Sequence, residues 1–247
     1  MDPAVSTPVS NARRAKTLGI LGLADPHSAL PPPPIGFDDA DWFEYPTVSR
    51  PVPNAWACEV VGGNLDLTPA YVQTARELEA AGVSAITCDC GYTIAHQAAI
   101  RDAVSIPVAC SSLLQLSLLK NMVPKGGRIG LLCFDANTLK PEYLRFCGIE
   151  PGGDVPIAIG GIQGTRSWKN WIARETTTEW GALEEDVMGA ARKLWKANPD
   201  ITHWLLECTG FPRFRPLIKS EFGRPVYDWI TLCNHLMESA TARYVTG

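Results

Sequence analysis

The sequence predicts an α/β protein of two similar halves, each a parallel sheet covered by helices, with the functional residues where strands end. Three observations carry this expectation. Short apolar runs alternate with amphipathic stretches of helical period from Pro69 almost to the C-terminus. A strand-like run closed by cysteine occurs twice, as Ala85-Ile-Thr-Cys-Asp-Cys90-Gly-Tyr-Thr93 and as Trp204-Leu-Leu-Glu-Cys208-Thr-Gly-Phe-Pro212. The chain has 247 residues, which suits one large domain or two compact lobes.

Taken in order, residues 1–16 mix Pro, Ser, Asn and Arg without periodicity and read as a flexible tail. Thr17–Leu23 is the first strand. Residues 24–67 form a long irregular stretch with Pro31–Pro34 and the aromatics Trp42, Phe43, Tyr45 and Trp56, either a surface loop pinned by its rings or a cover over a ligand. Pro69 opens a helix to Ala81, Ser84–Cys90 is a buried strand, and Thr93–Val104 a helix. Strand Ile106–Cys110, helix Ser112–Met122, strand Arg128–Phe134 and helix Asn137–Cys147 follow. The second series runs through strand Val155–Ile159, helix Trp180–Ala197, strand His203–Cys208, a helix after Pro212, strand Pro225–Asp228 and a C-terminal helix. Residues 17–126 with 225–247 are assigned to the first lobe and 127–224 to the second. Parallel sheets of this kind bind ligands beyond the carboxyl ends of their strands.

Composition narrows the function. Apolar residues make up 46% and charged residues 19%, as in folded globular chains. A net charge of −4 without a basic run gives no electrostatic footprint for nucleic acid or an anionic membrane. No apolar stretch of membrane-spanning length and no secretory leader is legible, which points to a cytoplasmic protein. The eight cysteines fall within apolar runs of a chain far longer than a disulfide-stapled mini-domain, so reduced thiols are expected. Cys88 and Cys90 lack the second close Cys/His pair of a structural zinc site, and no metal is expected.

In both cysteine segments the thiol stands at a strand's carboxyl end and a helix's amino end. Helix N-termini present free N–H groups and a positive pole, which stabilise anions, lower a thiol pKa and attract a carboxylate. An ordinary thiol near pKa 8.5 is only slightly ionised at neutral pH, so a catalytic thiolate needs such a field. The repeated context singles out Cys90 and Cys208 as an acid/base pair. Cys58, Cys110, Cys133, Cys147 and Cys233 read as small hydrophobes, and Cys88, deeper in its strand, points into structure.

These residues resemble the aspartate/glutamate racemase superfamily, which includes amino-acid and hydantoin racemases, maleate isomerases and arylmalonate decarboxylases. The first half is carried by Cys90-Gly91-Tyr92-Thr93, Ile106-Pro107-Val108, Ser111-Ser112-Leu-Leu-Gln115 and Gly127-Arg128-Ile129-Gly130; the second by Glu207-Cys208-Thr209-Gly210 and Pro225-Val226-Tyr227-Asp228. The resemblance implies two pseudo-symmetric Rossmann-like lobes with the site between them and chemistry without a cofactor. No P-loop or dinucleotide fingerprint is present. It implies a racemase or epimerase in which one thiolate takes the proton beside a carboxylate or carbonyl and the opposite thiol returns one. Backbone N–H groups around Gly91, Tyr92, Thr209 and Gly210, with the hydroxyls of Thr93, Ser111 and Thr209, would hold the oxyanion. Asp25 and Asn137 occupy places where the family contacts substrate.

Family amino-acid racemases carry Asn-Thr after the first cysteine, whereas Gly91-Tyr92 stand here, so the substrate is expected to differ from plain aspartate or glutamate. Glu207 would face away from Cys208 on a regular strand; otherwise its charge raises the thiol pKa. A cis–trans isomerase or a decarboxylase of the same superfamily is the alternative, and a non-catalytic binding protein on this scaffold the third reading. The expected partner is a small carboxylate or carbonyl compound, with self-association possible. His96 reads as a helix residue beside the first motif, and Trp168, Trp171, Trp180 and Trp195 as packing.

Overall fold

The computed structural model describes residues 16–24, 42–153, 155–173 and 179–241. Among the described residues eight strands form two four-stranded sheets in which every neighbouring pair is parallel. In the first, β1 (Leu18–Gly22) lies between β2 (Thr47–Pro51) and β3 (Ala85–Cys88), and β4 (Val108–Ala109) closes the far edge. In the second, β5 (Arg128–Cys133) lies between β6 (Ile157–Gly161) and β7 (Ile201–Leu206), followed by β8 (Val226–Tyr227). The two strand orders, β2-β1-β3-β4 and β6-β5-β7-β8, are the same walk through each lobe, so β3 and β7 are equivalent. The expected two-lobed α/β architecture is present.

Both sheets are covered by helices. After α1 (Ala57–Val61), α2 (Thr68–Ala80) starts with proline in its first turn, where a missing N–H costs nothing, and buries Tyr71, Thr74, Ala75 and Leu78. A 3₁₀ turn (Gly91–His96) leads into α3 (Gln97–Ala103), and a second (Ser112–Gln115) into α4 (Leu116–Leu119). The second lobe contributes α5 (Pro141–Phe146), α6 (Arg166–Ile172), α7 (Trp180–Ala197) and α8 (Arg215–Phe222). The last helix, α9 (Trp229–Ser239), begins with a capping box in which Asp228 and Thr231 satisfy each other's backbone N–H groups.

Several boundaries differ from the expectation. Residues 24–67 are not wholly irregular, since β2, α1 and a 3₁₀ turn at Leu65–Leu67 lie within them. β2 is exposed at all five positions and so lacks the apolar signal of a buried strand; its pairing with β1 defines it. Helix Asn137–Cys147 shortens to Pro141–Phe146, with Asn137 exposed in the turn before it. Strand 225–228, assigned with the first lobe, has its paired residues Val226 and Tyr227 in the second sheet beside β7. Only the helix that follows returns, its Trp229 indole N–H donating to the Thr87 hydroxyl on β3 at 3.0 Å.

One continuous core runs through both lobes, from Leu21, Ile86 and Leu113 to Leu131, Leu205 and Ile218. A smaller cluster packs Leu18, Ile20 and Ala85 against Trp229, Cys233 and Met237 of α9, with Phe43 over them. All eight cysteines are free thiols. Among the described residues no helix is long and apolar enough to cross a membrane.

Candidate active site between the lobes

Because β3 and β7 are equivalent, the residues just past their carboxyl ends meet across the seam. Cys90 lies two positions past β3 and caps the Gly91–His96 turn, and Cys208 lies two positions past β7 ahead of the Pro212–Phe214 turn. Each strand stops before its cysteine, which frees the cysteine from the ladder. Both thiols are buried, and each lies within the electrostatic field of the other or of the other's neighbours. The pair singled out by the repeat therefore does come together.

Hydrogen bonds fix the seam. The Thr209 hydroxyl donates to the Asp89 carbonyl, and the Ser112 hydroxyl donates to the carbonyls of Leu206 at 2.7 Å and Glu207 at 3.1 Å. The Tyr92 hydroxyl donates to the Asp135 carbonyl and accepts from the Asp135 N–H. Asp135 is itself held: its carboxylate accepts from the Trp168 indole at 3.0 Å and the Asn137 N–H at 2.9 Å. Asp89 accepts from the Leu23 N–H at 2.9 Å, tying the end of β1 to the first cysteine turn.

Glu207 does not face away. Its side chain is fully buried, Oε2 accepts from the Phe134 N–H at 3.1 Å, and Oε1 has no hydrogen-bond partner among the described residues. Oε1 fills the space above Gly91, where an added Cβ would come within 2.1 Å of it. Burial raises the Glu207 pKa to about 8, opposed by the Phe134 N–H and reinforced by Asp135.

The thiols are pushed up rather than down. For Cys90 burial is the main cause, with Glu207 next, while the Tyr92 N–H works against them. For Cys208 burial again leads and Glu207 adds to it; the Gly210 N–H and the Arg213 guanidinium oppose. The helix-start N–H groups expected from the sequence act in the expected direction, yet desolvation outweighs them in the free site. Two groups, the Gly210 N–H and Arg213, favour the Cys208 thiolate, and one, the Tyr92 N–H, favours that of Cys90.

The other expected residues separate. Gly210 lies against Trp171, whose ring would be 2.4 Å from a Cβ there, and Trp171 stacks on Phe134 at 5.9 Å. Thr93 is buried facing the Tyr71 phenol, and Ser111 is buried as the N-cap of the Ser112–Gln115 turn, accepting from Leu113 N–H. The Tyr92 side chain is a strut between lobes rather than a free ligand. Asp25 lies outside the described residues. His96 stacks on Tyr71 at 4.6 Å, and burial lowers its pKa to about 4, so it stays neutral.

Sequence reasoning missed Glu207 as an inward-facing group, along with Tyr71, Tyr143, Trp171 and Arg213. The charge of a Cys90 thiolate is felt by both Tyr71 and Tyr143, and the buried Tyr143 hydroxyl has no hydrogen-bond partner among the described residues. Arg213 stacks over Trp180 at 3.6 Å and donates to the Gly210 carbonyl at 2.9 Å. Only Glu207, Arg213 and Trp171 left a sequence trace: Glu207 lies within the second motif, Arg213 just beyond it, and Trp171 is one of four tryptophans read as packing. Among the described residues no group of three or more His, Cys, Asp or Glu stands where it could hold a metal ion.

No known family profile matches the chain. It is 30% identical over 184 residues to dimethylsulfoniopropionate lyase 5 of Emiliania huxleyi (strain CCMP1516), a match covering 70% of this chain and 36% of that protein. To lyase 3 of the same alga it is 28% identical over 219 residues, covering 84% and 56%. To dimethylsulfoniopropionate lyase of Durusdinium sp. clade D it is 28% identical over 222 residues, covering 87% and 71%. The chain thus spans between about a third and seven-tenths of these relatives. Among solved structures it resembles glutamate racemase from Bacillus anthracis, at TM-score 0.58 and 16% identity over 90% of this chain and 82% of that one. Allantoin racemase from Pseudomonas fluorescens aligns at TM-score 0.56 and 14% identity, covering 93% and 94%. Unliganded arylmalonate decarboxylase aligns at 0.54 and 15%, covering 93% and 97%.

Proposed function

Starting from the aspartate/glutamate racemase fold that this chain has, we propose that it is a lyase that removes the proton beside a carboxylate with a cysteine thiolate and expels a leaving group from the next carbon. Dimethylsulfoniopropionate, or a close sulfonium or ammonium carboxylate, is the substrate class. The observation that carries the reading is the meeting of Cys90 and Cys208 at equivalent strand ends, in a chain whose curated relatives bear lyase names.

The electrostatics favour a substrate with a cationic end. Both thiols are pushed toward the protonated form by burial, and further by Glu207 whenever that group is ionised. A positive sulfonium about 4 Å from a thiolate at an effective dielectric near 20 contributes roughly 4 kcal/mol, enough to offset a large part of that penalty. The face of Trp171 beside Gly210, and Asp89 and Asp135 at the seam, suit such a cation.

Cys208 is the base, because Gly210 N–H and Arg213 favour its thiolate. Its sulfur takes the proton from the carbon next to the carboxylate. The electrons of that C–H bond form the new double bond, and the C–S bond pair leaves on sulfur as neutral dimethyl sulfide, with acrylate as the other product. Backbone N–H groups at the two cysteine turns hold the carboxylate as negative charge develops. Elimination needs one base, whereas inversion of a stereocentre needs two on opposite faces, so the second thiol is the feature that keeps racemisation as the competing reading.

The test is direct. The purified chain is incubated with dimethylsulfoniopropionate, with dimethyl sulfide followed in the headspace and acrylate by proton NMR. Stoichiometric release of both is expected. No product, together with solvent-deuterium exchange at the α-carbon of a chiral carboxylate or hydantoin, would replace the lyase reading with racemisation.

A further inference from the structure

The second cysteine turn carries a carboxyl group that the proposed elimination does not use. Glu207 is fully buried, yet only one of its side-chain oxygens is hydrogen-bonded, to the Phe134 N–H at the end of β5. The other oxygen points across the seam at Gly91, the residue after Cys90. An ionised carboxylate placed so would bury a charge with one oxygen unpaired, which costs far more than burying the neutral carboxylic acid in the same place.

The groups around it and the cysteine pair come from three directions. Asp89, Cys90 and Tyr92 stand at the end of β3, Cys133 and Asp135 at the end of β5, and Cys208 with Arg213 on its own segment. Tyr92 is already engaged with the Asp135 backbone, and the Asp135 carboxylate with Trp168 and Asn137. The Ser112 hydroxyl donates to the Glu207 backbone carbonyl, not to its side chain. Within this set the Glu207 charge acts on Cys90, Cys133, Cys208 and Tyr92 alike, in each case against a second negative charge.

We propose that Glu207 is a positioning residue that shares a single ionisation with the Cys90/Cys208 pair, so that the site holds either a carboxylate or one thiolate but not both. In the working form Glu207 is the neutral acid and the negative charge sits on sulfur. Once the site has lost its first proton, further alkali no longer raises the thiolate fraction, because the next proton must leave against an existing charge. This deepens the lyase reading but does not depend on the substrate.

Alkylation by iodoacetamide from pH 6 to 9.5 tests it, with the Cys90 and Cys208 peptides followed separately by mass spectrometry. In the wild-type chain the logarithm of the rate should climb with unit slope and level off near pH 8, the value to which Glu207 is raised. In Glu207→Gln the climb should continue, leaving alkylation about tenfold faster than wild type at pH 9, one unit past the break. Glu207→Met, of similar length and without a titrating group, gives the same comparison if the glutamine variant does not fold. A straight wild-type profile, or the same break in a folded variant, overturns the proposal. Because no substrate is present, a break that disappears in Glu207→Gln stands even if dimethylsulfoniopropionate is not turned over, and in that case the lyase reading alone falls.

Discussion

Glu207 Oε1 occupies the position that a side chain on Gly91 would need, 2.1 Å from the site of its Cβ. The first cysteine is therefore followed by glycine because the residue before the second cysteine lies against it. Replacing Gly91 with alanine forces the seam apart or pushes the Glu207 carboxyl off the Phe134 N–H. Overpacking of this kind costs about 1–3 kcal/mol, so Gly91→Ala should lower the urea midpoint with little change in slope. An unshifted midpoint would mean that the seam opens freely.

The Tyr92 hydroxyl makes both a donor and an acceptor contact with the Asp135 backbone across the lobes. Tyr92→Phe leaves a buried N–H and a buried carbonyl without that partner. The expected loss is roughly 1–3 kcal/mol. Alkylation of Cys90 should also quicken as the seam loosens, and unchanged stability would show that water replaces the hydroxyl.

The two thiols are unequal. In an elimination, Cys208→Ser should lower kcat by roughly 10³-fold, the range of a general base, whereas Cys90→Ser should leave measurable turnover. Equal and complete loss in both variants would favour a two-base reaction. Steady-state rates of dimethyl sulfide release decide between the two.

Stability should carry the Glu207 signature. Its pKa is 4.5 ordinarily and about 8 in the fold, so between these values the folded chain keeps a proton that the unfolded chain has released. That difference makes the Glu207 contribution to stability fall as pH rises from about 4.5 to 8. Glu207→Gln lacks this loss. Relative to wild type it should gain on the order of a few kcal/mol between pH 5 and 8, with no further change below about 4.5. Denaturant melts of the two proteins across this range measure it, and parallel pH profiles would refute a protonated Glu207.

The acid side belongs to His96. Burial lowers its pKa from 6.5 to about 4, so the folded chain resists a proton that the unfolded chain accepts. The His96 contribution to stability should therefore fall as pH drops from about 6.5 toward 4, against the Glu207 contribution over the same range. His96→Gln, with its amide toward Thr68, whose hydroxyl now pairs with Nδ1 at 2.8 Å, should gain stability relative to wild type as pH drops through that range, and a constant difference between the two proteins would refute a neutral buried His96.

By itself the sequence determined the alternation of strands and helices and singled out Cys90 and Cys208, because hydrophobic period and a repeated Cys-Gly or Cys-Thr-Gly turn are local properties of the chain. It could not place β2, whose five residues are all exposed and whose strand character comes from pairing with β1. Nor could it place strand Val226–Tyr227, only two residues long and placed in the second sheet by pairing with β7. The site divided along the same line. Cysteines at helix starts were legible, but the sign of their pKa shift was not, since a field from nearby N–H groups can be read from sequence while desolvation depends on what the other lobe brings over the thiol. Tertiary structure alone turned Glu207 inward against Gly91, set Tyr71 and Tyr143 beside Cys90, and so pushed both thiols up rather than down.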